Sequence, residues 1–417
     1  MLVMVRNQAS RSEERPKGLE LQAQLNELAS RGADGVCDLV SEILAEGIRR
    51  GASDIHIEPG ADRVMLRLRL DGVLHPGIEV RTPIPANIVA RVKVLADLLT
   101  YQTDVPQEGR INREKVGAQA DLRVSTFPTV HGEKTVIRLF DPMTQGVRLE
   151  DLGYPEGLLA ALQRQLQMPR GVILFTGPAG SGKTTTIYAA LKYILDQTGG
   201  ARNIVTVEDP VERVLPGVTQ TQVHPATGLT FARCLRSLMR QDPEVIVIGE
   251  IRDCETAEIA VEAGLTGHLV ISTVHSGTAA GVLTRLLNMK LEPHLIAGSV
   301  TFTAAQRLVR KLCLACRKRI SDPRDLLGLS RDLLGVAYHP VGCDACFRTG
   351  YAGRTVIVEC LATSRKICDK IIEHAAGEAL ETAAEEEGMA PLRQAAVEAV
   401  KAGITSPAEI RRVFGPE

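Results

Sequence analysis

The chain has 417 residues, 44% hydrophobic and 24% charged, with a net charge of −1, the composition of an ordinary soluble protein of two or three domains. That balance offers no global field for nucleic acid or an acidic membrane surface, and an aromatic content of 3% without tryptophan leaves few side chains for base stacking. No apolar run approaches the roughly 20 residues needed to cross a bilayer, the N-terminus lacks the apolar core of a signal peptide, and nine cysteines, an odd number, suit a reducing compartment, so a cytosolic chain is expected.

Residues 1–35 read as a polar tail or arm with one short helix, Leu19 to Leu28. From Val36 to Arg50 apolar residues recur at helical spacing, and Gly51 stops that helix. In Arg63–Leu74, Val64, Leu66, Leu68 and Leu70 alternate with Arg63, Met65, Arg67 and Arg69, a strand with one buried and one basic face. Asp71-Gly72 signals a hairpin turn. A helix over Ala86–Leu99 and strands over Ala118–Thr126 and Glu133–Phe140 complete a small α+β domain, 36–145.

Over 146–417 short aliphatic strands alternate with helices: Gly171–Phe175, Ile204–Val207, Val245–Ile248 and Leu269–Thr273. Such runs suit buried parallel strands, and the segment reads as a doubly wound or RecA-like α/β domain. A cysteine-bearing element spans 309–353, and 355–417 reads as short helices.

The strongest chemical signal is Gly177-Pro178-Ala179-Gly180-Ser181-Gly182-Lys183-Thr184, of the form G-x-x-x-x-G-K-[ST], followed by Thr185. It joins the apolar run Gly171–Phe175 to a helical stretch, Thr184–Leu195. Its glycines let backbone N–H groups curl around phosphates of ATP, Lys183 reaches the β/γ-phosphates and the Thr184 hydroxyl holds Mg²⁺. The run Val245–Gly249 delivers Glu250 to the carboxyl end of a strand, where a carboxylate can orient or deprotonate water. Glu208, Asp209 and Glu212 cluster after Ile204–Val207 and suit Mg²⁺ through its waters. Arg233, Arg236 and Arg240 share a face of a helix over 230–241, a stripe that serves either solvent or phosphates. His268 and His275 bracket one buried strand, as γ-phosphate sensors, as contacts across an interface or as hydrogen-bonded core histidines. Cys313-x-x-Cys316 and Cys343-x-x-Cys346, with 26 residues between the pairs, suggest a structural four-thiolate Zn²⁺ site, a redox pair being the alternative. Cys37, Cys234, Cys254, Cys360 and Cys368 are expected as buried thiols.

Together these residues resemble the type II secretion and type IV pilus assembly ATPases. The resemblance runs through Gly51-Ala-Ser-Asp-Ile-His-Ile-Glu-Pro59, Leu70-Asp-Gly-Val73, Pro106-Gln-Glu-Gly-Arg-Ile111, Asp121-Leu-Arg-Val-Ser-Thr126 and His131-Gly-Glu-Lys134. It continues through the phosphate loop, Val207-Glu-Asp-Pro-Val-Glu212, Arg240-Gln-Asp-Pro-Glu-Val245, Gly249-Glu-Ile-Arg-Asp253, Thr266-Gly-His-Leu-Val270, Gly350-Tyr-Ala-Gly-Arg354 and Gly388-Met-Ala-Pro-Leu-Arg393. It implies a RecA-like P-loop ATPase domain preceded by a small PAS-like α+β domain, assembled as a homo-hexamer. It makes Glu250 the catalytic carboxylate, Glu208 and Asp209 the acids of a second box, and His268 and His275 part of a histidine box. Arg123 and Arg138 become phosphate-contacting arginines, and Arg236, Arg240, Arg252 and Arg354 further arginines of hydrolysis.

The chain departs from that pattern in its short N-terminal region, in Glu244 where Asp is usual and in Ser276-Gly277 where Thr-Asn is common. The tetracysteine element favours the secretion or extension branch. The reading is a hexameric motor, cytoplasmic and peripheral to the inner membrane, that hydrolyses ATP to build a pseudopilus or pilus. Its partners are a polytopic inner-membrane platform protein and a membrane recruiter with a cytoplasmic domain, and no nucleic acid is expected. The rivals are a DNA-translocating RecA-like motor and a nucleotide-gated adaptor that does not turn ATP over.

Overall fold

The computed structural model describes residues 18–82, 84–118, 121–139, 147–375 and 377–416. Residues 1–17 of the predicted tail, and the predicted boundary at 145, lie outside them. The chain forms two compact units, Met1–Pro142 with Gly342–Arg348, and Met143–Val341 with Thr349–Glu417.

Unit 1 opens with α1 (Gly18–Ser30) and α2 (Val36–Arg49). Four strands follow: β1 (Asp54–Pro59), β2 (Arg63–Leu70), β3 (Val73–Leu74) and β4 (Ile78–Arg81). Then come α3 (Pro85–Leu95), β5 (Gln107–Ile111), α4 (Arg113–Val116), β6 (Leu122–Thr129) and β7 (Gly132–Arg138). The strands form one antiparallel sheet in the order β3-β2-β1-β7-β6-β5, with β4 also on β2. The predicted hairpin turn is made by Asp71 (φ 49°) and Gly72 (φ 82°), whose paired positive φ matches the right-handed twist of the flanking strands. Period-two alternation sends Ile55, Ile57, Val64, Leu66, Val124 and Ile137 to the core, where they meet Leu39, Val40, Ile43 and Leu44 of α2. The expectation of an arm over 1–35 fails for its described part. Leu21, Leu25 and Ala29 recur at i, i+4, i+8 on α1 and are buried in this same core.

Unit 2 begins with α5 (Glu156–Leu166), β8 (Gly171–Thr176), α6 (Lys183–Thr198), β9 (Ile204–Glu208), β10 (Thr219–Gln222) and α7 (Phe231–Leu238). It continues through β11 (Val245–Ile251), α8 (Cys254–Leu265), β12 (Leu269–Val274), α9 (Ala279–Asn288), α10 (Pro293–Ser299) and β13 (Val300–Leu312). The small pair β14 (Lys318–Arg319) and β15 (Tyr338–His339) precedes β16 (Tyr351–Ala362), and α11 (Arg365–Ile372), α12 (Gly377–Glu386), α13 (Leu392–Lys401) and α14 (Pro407–Phe414) close the chain. The main sheet runs β10-β9-β11-β12-β8-β13-β16. Neighbours are parallel from β10 to β13, and β16 lies antiparallel on β13. Every residue of β8 and β12 is buried, which is why these strands read as unbroken aliphatic runs. The predicted helical region over 355–417 holds only from α11 onward. Thr355-Val-Ile-Val-Glu-Cys-Leu361 is rich in β-branched residues and pairs with β13 as a strand.

Among the described residues no helix is long and apolar enough to cross a membrane. Cys234 and Cys360 are buried as expected, but Cys37 and Cys254 are exposed. Cys37 follows Val36 onto the solvent face of α2, and Cys254 is the first residue of α8.

Candidate active site

The parallel strands of unit 2 present their carboxyl ends at one edge, and the phosphate loop leaves from the end of β8. Gly177 (φ 144°), Gly180 (φ 73°) and Gly182 (φ 91°) take backbone angles that favour glycine. Gly177 has a second constraint: a Cβ there would meet the Gln306 backbone oxygen at 2.4 Å, so β13 passes too close for any side chain. Pro178, Ala179 and Gly180 are exposed, Ser181 is buried, and α6 starts at Lys183 with Thr184 and Thr185 in its first turn. The Lys183 ammonium donates to the Gly177 and Pro178 carbonyls at 2.8 and 3.1 Å. Burial pulls its pKa below the usual lysine value and nearby Arg307 adds to this, while the Glu250 carboxylate opposes it.

Glu250, on β11, lies two strands from β8, about 10 Å at ordinary strand spacing. Its side chain is 18% exposed and pairs with Arg252 and, at 3.5 Å, with His275 Nε2. His275 follows β12, the strand between them. Threonines fix these ends relative to one another. Thr176 Oγ1 donates to the Ser276 carbonyl and accepts from the Ser276 N–H, at 2.9 and 2.8 Å. Thr273 Oγ1 donates to the Gly249 carbonyl at 2.9 Å. The phosphate loop, Glu250, Arg252 and His275 thus share one edge.

The other predicted residues are placed differently. His268 stands at the opposite end of β12. Its carbonyl accepts from the N–H of Gly171, the first residue of β8, and its ring meets the Ala263 carbonyl at 3.0 Å. The 6 residues of β8 put it about 20 Å from the loop, so His268 caps the end of α8 and does not join His275. Glu208 is 5% exposed and accepts from Tyr188 Oη, Thr206 Oγ1 and Gln220 Nε2 at 2.5, 2.6 and 3.0 Å. Asp209, the next residue, is exposed. Arg233 donates to the Gly228 carbonyl, Arg236 pairs with Glu255 at 2.5 Å, and Arg240 donates to the Arg236 carbonyl. Arg354 sits opposite Arg310 on β16.

Within unit 1, Arg110, Arg123, Arg138, Asp54 and Arg69 are successive partners across β5-β6-β7-β1-β2. Three arginines directly opposite one another repel, and such a row is stabilised by an anion. Asp54 binds Arg69 Nε at 3.2 Å and Arg138 Nε at 3.1 Å, while the Arg138 side chain stays 68% exposed.

The sulfurs of Cys313, Cys316, Cys343 and Cys346 lie within 4.8 Å of one another. Cys343 and Cys346 Sγ are 3.8 Å apart, the separation that two thiolates about 2.3 Å from one tetrahedral zinc would have. The donor set therefore fits Zn²⁺.

Residue-by-residue reading of the sequence misses Gln306, which bonds the loop from β13, and its neighbour Arg307, whose charge acts on Lys183. The signal was present: a glutamine–arginine pair interrupts the apolar run from Val300 to Val309.

A family model described as "Type II/IV secretion system protein" matches residues 29–412. The chain is 43% identical over 378 residues to the type II secretion system protein HxcR of Pseudomonas aeruginosa, covering 91% of this chain and 77% of that protein. It is 41% identical over 407 residues to the type II secretion system ATPase E of Vibrio cholerae, covering 97% and 79%. It is also 41% identical over 376 residues to the type IV pilus assembly ATPase PilB of Thermus thermophilus, covering 89% of this chain but 42% of that one. Two solved structures share the fold. The pilus retraction motor PilT with bound ADP superposes with TM-score 0.58 at 24% identity, covering 89% and 96%, and the Legionella pneumophila ATPase DotB with 0.65 at 19%, covering 89% and 94%. With its phosphate loop carried on a RecA-like sheet, the chain belongs to the type II/IV secretion system protein family and is one of its ATPases.

Proposed function

We propose that this ATPase works as a homo-hexamer at the cytoplasmic face of the inner membrane, turning ATP hydrolysis into assembly of a pseudopilus or pilus through a polytopic platform protein. The observation that carries this reading is the shared edge of unit 2. Lys183 follows β8 through the loop, Glu250 ends β11 and His275 follows β12, on strands tied together by Thr176 and Thr273. The loop N–H groups and Lys183 hold the phosphates, and Glu250 orients or deprotonates the attacking water. Arg252 and His275 hold the Glu250 carboxylate. The Thr184 hydroxyl would hold Mg²⁺, which supplies charge neutralisation at the phosphates. Arg123 and Arg138 serve as anion-binding residues of unit 1, and Cys313, Cys316, Cys343 and Cys346 would hold a structural Zn²⁺.

Steady-state hydrolysis and nucleotide binding test the site together. Lys183→Ala abolishes ADP binding, whereas Glu250→Gln keeps it and stops turnover. Specific activity that rises with protein concentration marks a shared site. Stimulation by DNA would instead support a nucleic-acid motor.

A further inference from the structure

Gln306 is fully buried on β13, and its side chain bonds the phosphate loop, the first turn of α6 and Tyr154. Its Nε2 donates to the Ser181 carbonyl at 2.9 Å. Its Oε1 accepts from Thr186 Oγ1, in the first turn of α6, at 3.3 Å, and from Tyr154 Oη at 3.2 Å. Tyr154 lies just beyond the short turn Leu149–Leu152, where the chain enters unit 2. The phenol is buried and its pKa is driven well above the ordinary value by desolvation, so it keeps its proton and donates.

The geometry has a consequence for anion binding. In a trans peptide the carbonyl and the following N–H point in opposite directions. Gln306 holds the Ser181 carbonyl toward β13, which turns the Gly182 N–H away from β13. A Cβ on Gly182 would stand 3.4 Å from Gln306 Nε2, so the amide also fills the space behind the loop. An amide suits this place because it donates on one side and accepts twice on the other.

We propose that Gln306 is a positioning residue for phosphate binding, and that Tyr154 makes its hold on the loop depend on the segment through which the chain enters unit 2. The proposal rests on the reading that Gly177–Thr184 holds the nucleotide. Loss of the Tyr154 bond to Gln306 loosens the Ser181–Gly182 peptide, and with it nucleotide affinity, without any contact between Tyr154 and the nucleotide.

Gln306→Glu separates the two halves of the amide. The carboxylate keeps the acceptor side and loses the donor, and regains a donor only when protonated. Its ADP affinity, measured by fluorescent-analogue titration, falls about tenfold or more relative to wild type as the pH rises between about 6 and 9. In turnover the loss appears as a higher KM with kcat largely kept, because the loop N–H groups bind ground and transition states alike. Wild-type ADP affinity across that range, in a variant with unchanged Tm, overturns the proposal. Should Gln306→Glu not fold, Gln306→Met takes its place with similar volume and no donor, and wild-type affinity there overturns it equally. Tyr154→Phe keeps the Ser181 bond and weakens ADP binding by about two- to fivefold; unchanged affinity removes Tyr154 from the proposal. Lys183→Ala is the control. If it too binds ADP normally the nucleotide site itself is misplaced, and if only it loses binding the role of Gln306 alone fails.

Discussion

Glu208 and Glu250 end neighbouring strands, yet their surroundings give them different capacities. Glu208 accepts three hydrogen bonds from protein donors and is 5% exposed. Its charge holds the Tyr188 phenol, whose pKa rises through burial and then through this bond. To meet a magnesium-bound water it would have to surrender partners whose loss leaves buried donors unsatisfied. Glu250 instead pairs at its rim with Arg252 and His275, and its side chain stays 18% exposed. The two carboxylates should therefore separate under isosteric substitution. Glu250→Gln is expected to keep its Tm and lose about a hundredfold or more in kcat, the scale of removing a general base. Glu208→Gln is expected to lose about 1–3 kcal/mol of stability, with a smaller loss of kcat per folded molecule. Chemical denaturation alongside steady-state hydrolysis distinguishes them, and the reverse pattern would exchange their roles.

At the scale of elements, α1 is a working part of unit 1. Leu21 and Leu25 are fully buried against the sheet and α2, so Leu25→Ala should cost about 2–5 kcal/mol, measured as a lower denaturation midpoint for unit 1. A free arm would show no change. This helix was only half legible because a few leucines in a polar sequence reveal an amphipathic pattern but not the surface it meets. The phosphate loop was fully legible, since strand, glycine turn and helix are adjacent in sequence and need no distant partner. Strand β16 was missed because it pairs across the whole cysteine element with β13. For the histidines spacing misled. His268 and His275 flank one strand, but a strand has two ends, and only His275 stands at the end that carries Glu250 and the phosphate loop. Gln306 is the converse case: its contacts at Ser181 and Tyr154 span 125 and 152 residues, a separation no local pattern encodes.

At the scale of the whole chain, the last helix returns to the sheet that carries the site. Glu409 of α14 is fully buried, accepts from the Arg310 side chain at 2.7 and 2.9 Å and from its backbone N–H at 3.0 Å, and also binds Arg412. Arg310 lies on β13, four residues beyond Gln306, and stacks 3.9 Å from the Tyr351 ring centroid. Burial alone would push the Glu409 pKa up, but the hydrogen bonds from Arg412 and Arg310 more than offset it and leave it below the usual carboxylate value. A depressed folded-state pKa means the unfolded chain binds the proton more tightly. The stabilisation is therefore complete above the unfolded value, about 4.3, and is lost as pH falls through the folded one. Glu359 has the opposite sign. Desolvation raises its pKa despite N–H donors from Ala279 and Leu392, so its own contribution improves as the pH falls. The bare acid melting curve of unit 2 sums both, and only a variant isolates Glu409. Glu409→Gln removes the charge and strands Arg310, at a cost of about 3–5 kcal/mol near neutrality. Its stability deficit relative to wild type should shrink as the pH drops below about 4, because wild type then loses the same charge. Paired denaturation curves between about pH 3 and 7 measure that deficit, and a deficit independent of pH would mean that the Glu409 charge contributes nothing to holding α14 on β13.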